Sequence, residues 1–197
     1  MSSTNRSNAR NSHIADYYIT PIRSIQDFLM EFFSDNPARD FNNKIILDPC
    51  AGGDEDNTMS YPEAIRKWEH KQPPAIFTYD IRPDSRAANI QDFLTAEITC
   101  DFFDVIITNP PFNIALDVIK KSLDLIKDDG IVIMLLRLNF FGSQVRSSWF
   151  QKFMPVWCYI HSKRMKFSTG SGTDSIEYMH AVWIKNSYPK FTKMRII

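Results

Sequence analysis

Cysteine is scarce and scattered. Cys50, Cys100 and Cys158 are the only three in 197 residues, and no CxxC occurs. An odd, widely spaced set makes no disulfide framework and points to a reducing compartment. Histidine is as sparse. His13, His70, His161 and His180 form no ligand-spaced cluster, so no metal site is expected and each reads as a surface or packing residue. No apolar run approaches the ~18 residues of a membrane-spanning helix. Net charge is missing as well: 23 Lys and Arg balance 23 Asp and Glu. A global basic field is thereby excluded, and any nucleic-acid contact must rest on a local patch. One sign of charge is locally absent. From Gly130 to Thr173 there is no Asp or Glu, while Arg137, Arg146, Lys152, Lys163, Arg164 and Lys166 fall in that stretch. A merely solvated face would look the same.

Hydrophobic residues make up 44% of the chain, enough for one sizeable core. Met1–Ser12 is rich in Ser, Asn and Arg with no apolar segment behind it. Residues 1–13 read as a disordered lead-in rather than a signal peptide, and 14–197 as one domain. Thr20-Pro21 looks like a helix start, with Thr as the cap. Ile22, Ile25, Phe28, Leu29 and Phe32 then recur at helical spacing, and Asn36-Pro37 ends the run. Strands are expected at Lys44–Leu47, Ala75–Tyr79, Phe103–Ile107, Ile131–Leu136, Val156–Ile160 and His180–Ile184. Helices are expected after the capping-box pattern Ser60-Tyr-Pro-Glu63, over Ile114–Ile126 and over Gly142–Phe153. This alternation predicts a doubly wound, mostly parallel α/β sheet, with the last two strands an antiparallel hairpin across the Gly/Ser/Thr loop 168–175.

Ligands of such sheets sit at the carboxyl ends of the strands, and three expected strand ends carry unusual residues. Asp48-Pro49-Cys50-Ala51-Gly52-Gly53 is no GxGxxG, but its paired glycines let backbone approach a ligand, and Asp48 suits a cationic or hydroxyl donor. An ordinary tight turn would read alike. Asp80, 32 residues after Asp48, suits the two hydroxyls of a ribose. Ile81 suits an adenine face, and Asp92, followed by Phe93, an adenine amine. The most specific signal is Thr108 followed by Asn109-Pro110-Pro111-Phe112. Two prolines stiffen the loop and remove two N–H donors. The Asn109 side-chain oxygen and the Pro110 carbonyl can then accept from one amine, and Phe112 can stack on a flat substrate. An amine held by two acceptors keeps its lone pair aimed at an electrophile.

Asn109-Pro110-Pro111-Phe112 resembles the catalytic loop of class I S-adenosyl-L-methionine-dependent amino-methyltransferases, especially small phage-type DNA adenine-N6 enzymes. Asp48–Gly53 resembles their methionine-end cofactor loop, though Gly53-Asp54-Glu55-Asp56 is more acidic than the usual pattern. Asp16-Tyr-Tyr-Ile-Thr-Pro21 resembles their Tyr-x-Thr-Pro element. Lys166–Tyr178 resembles a Gly-rich segment and strand of small phage and prophage members. The likeness covers roughly residues 14–185. It implies a Rossmann-like methyltransferase domain that binds S-adenosyl-L-methionine. Thr20 and Pro21 would border the methionine end; Asp48, Pro49 and the backbone of Ala51, Gly52 and Gly53 would hold it. Asp80 would take the ribose, and Ile81, Asp92 and Phe93 the adenine. Asn109, Pro110, Pro111 and Phe112 would hold the target base.

The expected reaction is direct in-line methyl transfer to adenine in DNA, on a base rotated out of the duplex, in the cytoplasm of a bacterium or phage-infected cell. No separate target-recognition domain is expected within these residues. DNA contacts would therefore fall to Arg137, Arg146, Lys163, Arg164 and Lys166, and a homodimer on a palindrome would enlarge the footprint. Two alternatives stay open. The same loop suits an RNA base or a protein glutamine amide. A non-catalytic, antirestriction-type module would bind only cofactor or DNA.

Overall fold

The computed structural model describes residues 18–167 and 176–197. The lead-in expected at 1–13, Asp16 and Tyr17, and the Gly/Ser/Thr loop 168–175 lie outside the described residues. The ordered elements are α1 (Ile22–Asp35), β1 (Ile45–Asp48), α2 (Ser60–Arg66), β2 (Ala75–Asp80), β3 (Asn89–Ile90), β4 (Phe103–Thr108), α3 (Ala115–Leu125), β5 (Ile126–Arg137), α4 (Gln144–Phe150), β6 (Trp157–Ile160), β7 (Tyr178–Ile184) and β8 (Lys193–Ile196).

The strands form one eight-stranded sheet in the order β3-β2-β1-β4-β5-β7-β6-β8. β3, β2, β1, β4 and β5 pair in parallel. β7 enters antiparallel between β5 and β6, so the expected C-terminal antiparallel pair is present. The chain winds outward from β1 to β3, then returns to place β4 on the other side of β1. That reversal opens a crevice at the carboxyl ends of β1 and β4.

β5 shows how the core is laid out. Ile131, Ile133 and Leu135 join Phe28, Phe32 and Tyr61 on the face covered by α1 and α2. Val132, Met134 and Leu136 join Val118, Ile119 and Phe150 on the face covered by α3 and α4. Residues that alternate in this way serve opposite faces, and both faces are buried because helices cover both. In α1, Ile22 of the expected apolar face is half-buried, and Ile25, Phe28, Leu29 and Phe32 are fully buried. Each such side chain contributes about 1.5–3 kcal/mol of transfer free energy.

Two local expectations need correction. Thr20 does not cap α1; the position before the helix is Pro21, and no side chain caps it. The capping box at Ser60 does not form, because Ser60 is already helical and Met59 precedes it. Glu63 instead pairs with Lys67 one turn on, at 3.0 Å. The sheet also gains the edge strand β8, parallel to β6, from the short alternating segment Lys193-Met194-Arg195-Ile196, for which no strand was expected. Among the described residues, no helix is long and apolar enough to cross a membrane.

Candidate active site

β1 ends at Asp48, a carboxylate only 1% exposed. Its Oδ1 accepts the Cys50 N–H at 3.3 Å, while Oδ2 is shielded and accepts no hydrogen bond. Burial raises this carboxyl to about 7; the Thr108 hydroxyl and the Cys50 N–H offset only part of the rise. Asp48 lies beneath the crevice rather than on its wall. Above it, Pro49, Cys50, Ala51, Gly52 and Gly53 form the wall. Gly52 and Gly53 have φ of 64° and 75°. A Cβ on Gly53 would meet Met59 Cγ at 3.0 Å and Arg86 Cβ at 3.1 Å. Both the left-handed backbone and the close approach require glycine there. Burial pushes the Cys50 thiol well above its ordinary value, so this cysteine is no thiolate nucleophile.

β2 delivers Asp80 to the same loop. Gly52 N–H donates to Asp80 Oδ2 at 2.7 Å, and Arg82 N–H donates to Oδ1 at 2.8 Å. Each carboxylate oxygen keeps a lone pair for a further donor. The Arg82 side chain donates to the Gly53 carbonyl at 3.0 Å and pairs with Asp84, tying the loop down from outside. Beside Asp80, Ile81 is 50% exposed and Phe93 is buried, and both line the crevice. Asp92 lines it too, its Oδ1 accepting the Leu94 N–H at 2.9 Å.

β4 ends at the opposite wall. Pro111 gives its carbonyl to the Ile114 N–H at 3.1 Å, at the start of α3. Among the described residues no donor reaches the Pro110 carbonyl. Asn109 Nδ2 donates to Thr20 Oγ1 at 3.0 Å, and Asn109 Oδ1 has no donor among the described residues. The loop thus presents two neighbouring free acceptors. Phe112 is half-buried, tilted against Tyr178 with ring centroids 5.8 Å apart. The cavity between these walls measures about 220 Å³. It brings together Thr20, the residues from Pro49 to Gly53, Asp80, Ile81, Asp92, Phe93 and Asn109–Phe112. Of the site residues expected from sequence, Pro21 and Asp48 stand behind the wall.

Sequence reasoning missed several lining residues. Tyr18 falls within the Tyr-x-Thr-Pro segment but was given no role, and Arg82 is two residues beyond Asp80. Tyr61 carries no local signal. Its hydroxyl bonds His180 Nε2 at 3.0 Å, and His180 Nδ1 bonds His161 Nε2 at 2.8 Å. Burial lowers both histidines, His161 to about 4, so the chain is neutral at pH 7.

The basic residues do not form a uniform patch. The Arg137 guanidinium lies over the Phe112 ring, 4.4 Å from its centroid, and Arg146 lies over Phe140 at 4.2 Å. Arg164 faces Glu177 at 3.7 Å. Lys163 and Lys166 are exposed. Among the described residues no group of His, Cys, Asp or Glu could hold a metal ion.

No family model matches the chain, and no curated protein matches it in sequence. Solved structures do match in three dimensions. A candidate class I S-adenosylmethionine-dependent methyltransferase from Listeria monocytogenes superposes with TM-score 0.62 at 14% identity, over 91% of this chain and 65% of that one. A candidate RNA methyltransferase from Pyrococcus horikoshii gives 0.60 at 15%, over 91% of both chains. The modification subunit of a candidate type I restriction enzyme from Vibrio vulnificus gives 0.59 at 13%, over 93% of this chain and 47% of that one. The protein therefore spans about two thirds of the Listeria chain and about half of the Vibrio chain. At these identities the likeness is one of fold, and the fold is the Rossmann-like one of class I methyltransferases.

Proposed function

We propose that the protein is an S-adenosyl-L-methionine-dependent methyltransferase whose acceptor is the exocyclic amine of adenine in DNA. One observation carries the reading: Asn109 Oδ1 and the Pro110 carbonyl are adjacent acceptors without internal donors, on the same cavity as the Gly52-Gly53 loop and Asp80. The residues fit the cofactor. Gly52 and Gly53 put backbone on the cavity wall, Asp80 retains acceptor capacity for a ribose diol, and Ile81 and Phe93 supply apolar surface for an adenine. Bound there, the cofactor supplies an electrophilic sulfonium methyl.

The chain's own residues do the rest. Asn109 and Pro110 accept hydrogen bonds from the two amine N–H groups and so direct the nitrogen lone pair along one line; the one surplus N–H proton of the methylated amine passes to water. Alignment of this kind removes much of the entropic cost of a two-reactant step. Thr20 holds the Asn109 amide with its oxygen toward the acceptor. Phe112 offers a flat surface to the base. No protein nucleophile is required, consistent with a Cys50 thiol held well above its ordinary value. The likeness to both a restriction modification subunit and an RNA methyltransferase supports a nucleic-acid acceptor, and the small phage-type sequence resemblance favours DNA. The test is to incubate the protein with methyl-labelled cofactor and separate pools of DNA, RNA and protein. Label in DNA supports the reading; label only in RNA or in protein glutamine moves the acceptor.

A further inference from the structure

Arg137 ends β5, beside the strand that carries the Asn109–Phe112 loop. Its guanidinium lies 4.4 Å from the centre of the Phe112 ring. Among the described residues it makes no ion pair and no hydrogen bond, and its Nε is shielded from solvent with no acceptor. The other cations of the acid-poor segment are placed differently. Arg146, also over a ring, donates to the Phe140 carbonyl at 2.9 Å, and Arg164 faces Glu177. A buried donor left unsatisfied costs about 1–3 kcal/mol, more when charged; the rest of this half-buried guanidinium is unpaired and is stacked on Phe112, which lines the cavity.

We propose that Arg137 is an acceptor-site residue that binds the phosphate flanking the target nucleoside, while its guanidinium and Tyr178 brace Phe112 from two directions. The inference rests on the amine-acceptor reading of the Asn109 loop and names the acceptor class. A nucleotide brings an oxyanion within a few ångströms of its base; a glutamine amide in a protein brings none. A planar guanidinium suits phosphate through paired N–H donors while its face remains stacked on an aromatic ring. Methionine at 137 keeps apolar packing on Phe112 and removes the donors. Lysine keeps the charge and loses the fork.

The test uses the full chain saturated with S-adenosylhomocysteine, which fills the cofactor's own adenosine site. Calorimetry then compares deoxyadenosine with its 5′- and 3′-monophosphates. Wild type should bind one monophosphate about tenfold more tightly than the nucleoside. Arg137→Met should bring that ratio to about one while nucleoside affinity stays within about twofold, and Arg137→Lys should retain an intermediate ratio. Retained S-adenosylhomocysteine binding shows that each variant is folded. Should Arg137→Met lose the fold, Arg137→Lys alone decides: an undiminished ratio overturns the assignment. Equal binding of nucleoside and both monophosphates to wild type overturns Arg137 and leaves the amine-acceptor reading standing. No binding of any of the three to the cofactor-product complex overturns both.

Discussion

Asn109 Nδ2 donates to Thr20 Oγ1 at 3.0 Å, across 89 residues of sequence. In this arrangement the Asn109 amide nitrogen is engaged by the Thr20 hydroxyl. With the nitrogen engaged, the oxygen is the end left for an incoming amine. Asn109→Ala removes this acceptor, and losing one aligned transition-state partner costs about 3–4 kcal/mol. Turnover should fall about 10²–10³-fold while cofactor affinity stays within about twofold, read by single-turnover kinetics and calorimetry. Turnover within threefold of wild type removes Asn109 from the mechanism.

Asp80 joins two jobs. It closes the loop by accepting from Gly52 and Arg82 backbone N–H groups, and it faces the cavity. Asp80→Ala should weaken cofactor binding by roughly 1.5–3 kcal/mol, the worth of hydrogen bonds to a charged group. It should also lower the melting temperature, because two N–H groups lose their partner. Calorimetry showing unchanged affinity would refute the ribose assignment.

Asp48 makes stability depend on pH in an unusual direction. Its carboxyl is raised to about 7 in the folded chain, against 3.8 for an ordinary aspartate. Between those values the folded state holds a proton that the unfolded state has lost, so this residue's contribution falls as pH rises and levels off above about 7. Asn, an uncharged near-isostere, removes that dependence. Denaturant titrations at pH 5 and pH 8 should show Asp48→Asn gaining on wild type by on the order of 2–4 kcal/mol at the higher pH. A constant offset would mean that Asp48 is ionised throughout. The buried histidines act oppositely in both proteins: with His161 lowered to about 4, stability is lost as pH falls below about 6.5. This common term cancels in the comparison.

Lys163 and Arg164 are the exposed cations expected to meet DNA phosphates. Each phosphate contact contributes a slope of roughly −0.9 to log affinity against log salt. A wild-type slope on the order of −3 to −5 is expected for three to five contacts. Changing both residues to Glu should weaken duplex binding and flatten the slope, with cofactor affinity untouched. Reversal at 164 also sets two acids together, since Arg164 faces Glu177 at 3.7 Å, so melting temperature must be measured alongside. Unchanged binding across the salt series would make the segment only a solvated face.

Much of this architecture was legible in the sequence because its strand ends are sharply punctuated. Apolar runs stop at Asp48-Pro49, at Asp80 and at Asn109-Pro110, and Pro49, Asp80, Asn109 and Pro110 line the cavity. What escaped depended on contacts distant in sequence. Thr20 has the look of a helix cap, yet its hydroxyl meets Asn109, and no local pattern distinguishes the two uses. β8 is exposed along its whole length, so the alternation of Lys193-Met-Arg-Ile196 is not matched by burial, and four residues are too few to stand out. His161 meets His180 because β6 and β7 pair, with Tyr159 opposite His180, and Tyr61 reaches His180 from α2. Arg137 was readable as a cation but not as one placed over Phe112, since that requires knowing that β5 lies beside β4.

The central claim is methyl transfer to adenine in DNA by the Asn109 loop. Its most direct test is nucleoside mass spectrometry on DNA treated with wild type and with Asn109→Ala in the presence of isotopically labelled S-adenosyl-L-methionine. Labelled N6-methyldeoxyadenosine should appear with wild type and fall at least a hundredfold with the variant, about 2.7 kcal/mol in activation free energy. DNA without labelled N6-methyldeoxyadenosine, together with label on ribonucleosides or on protein glutamine, would contradict the account.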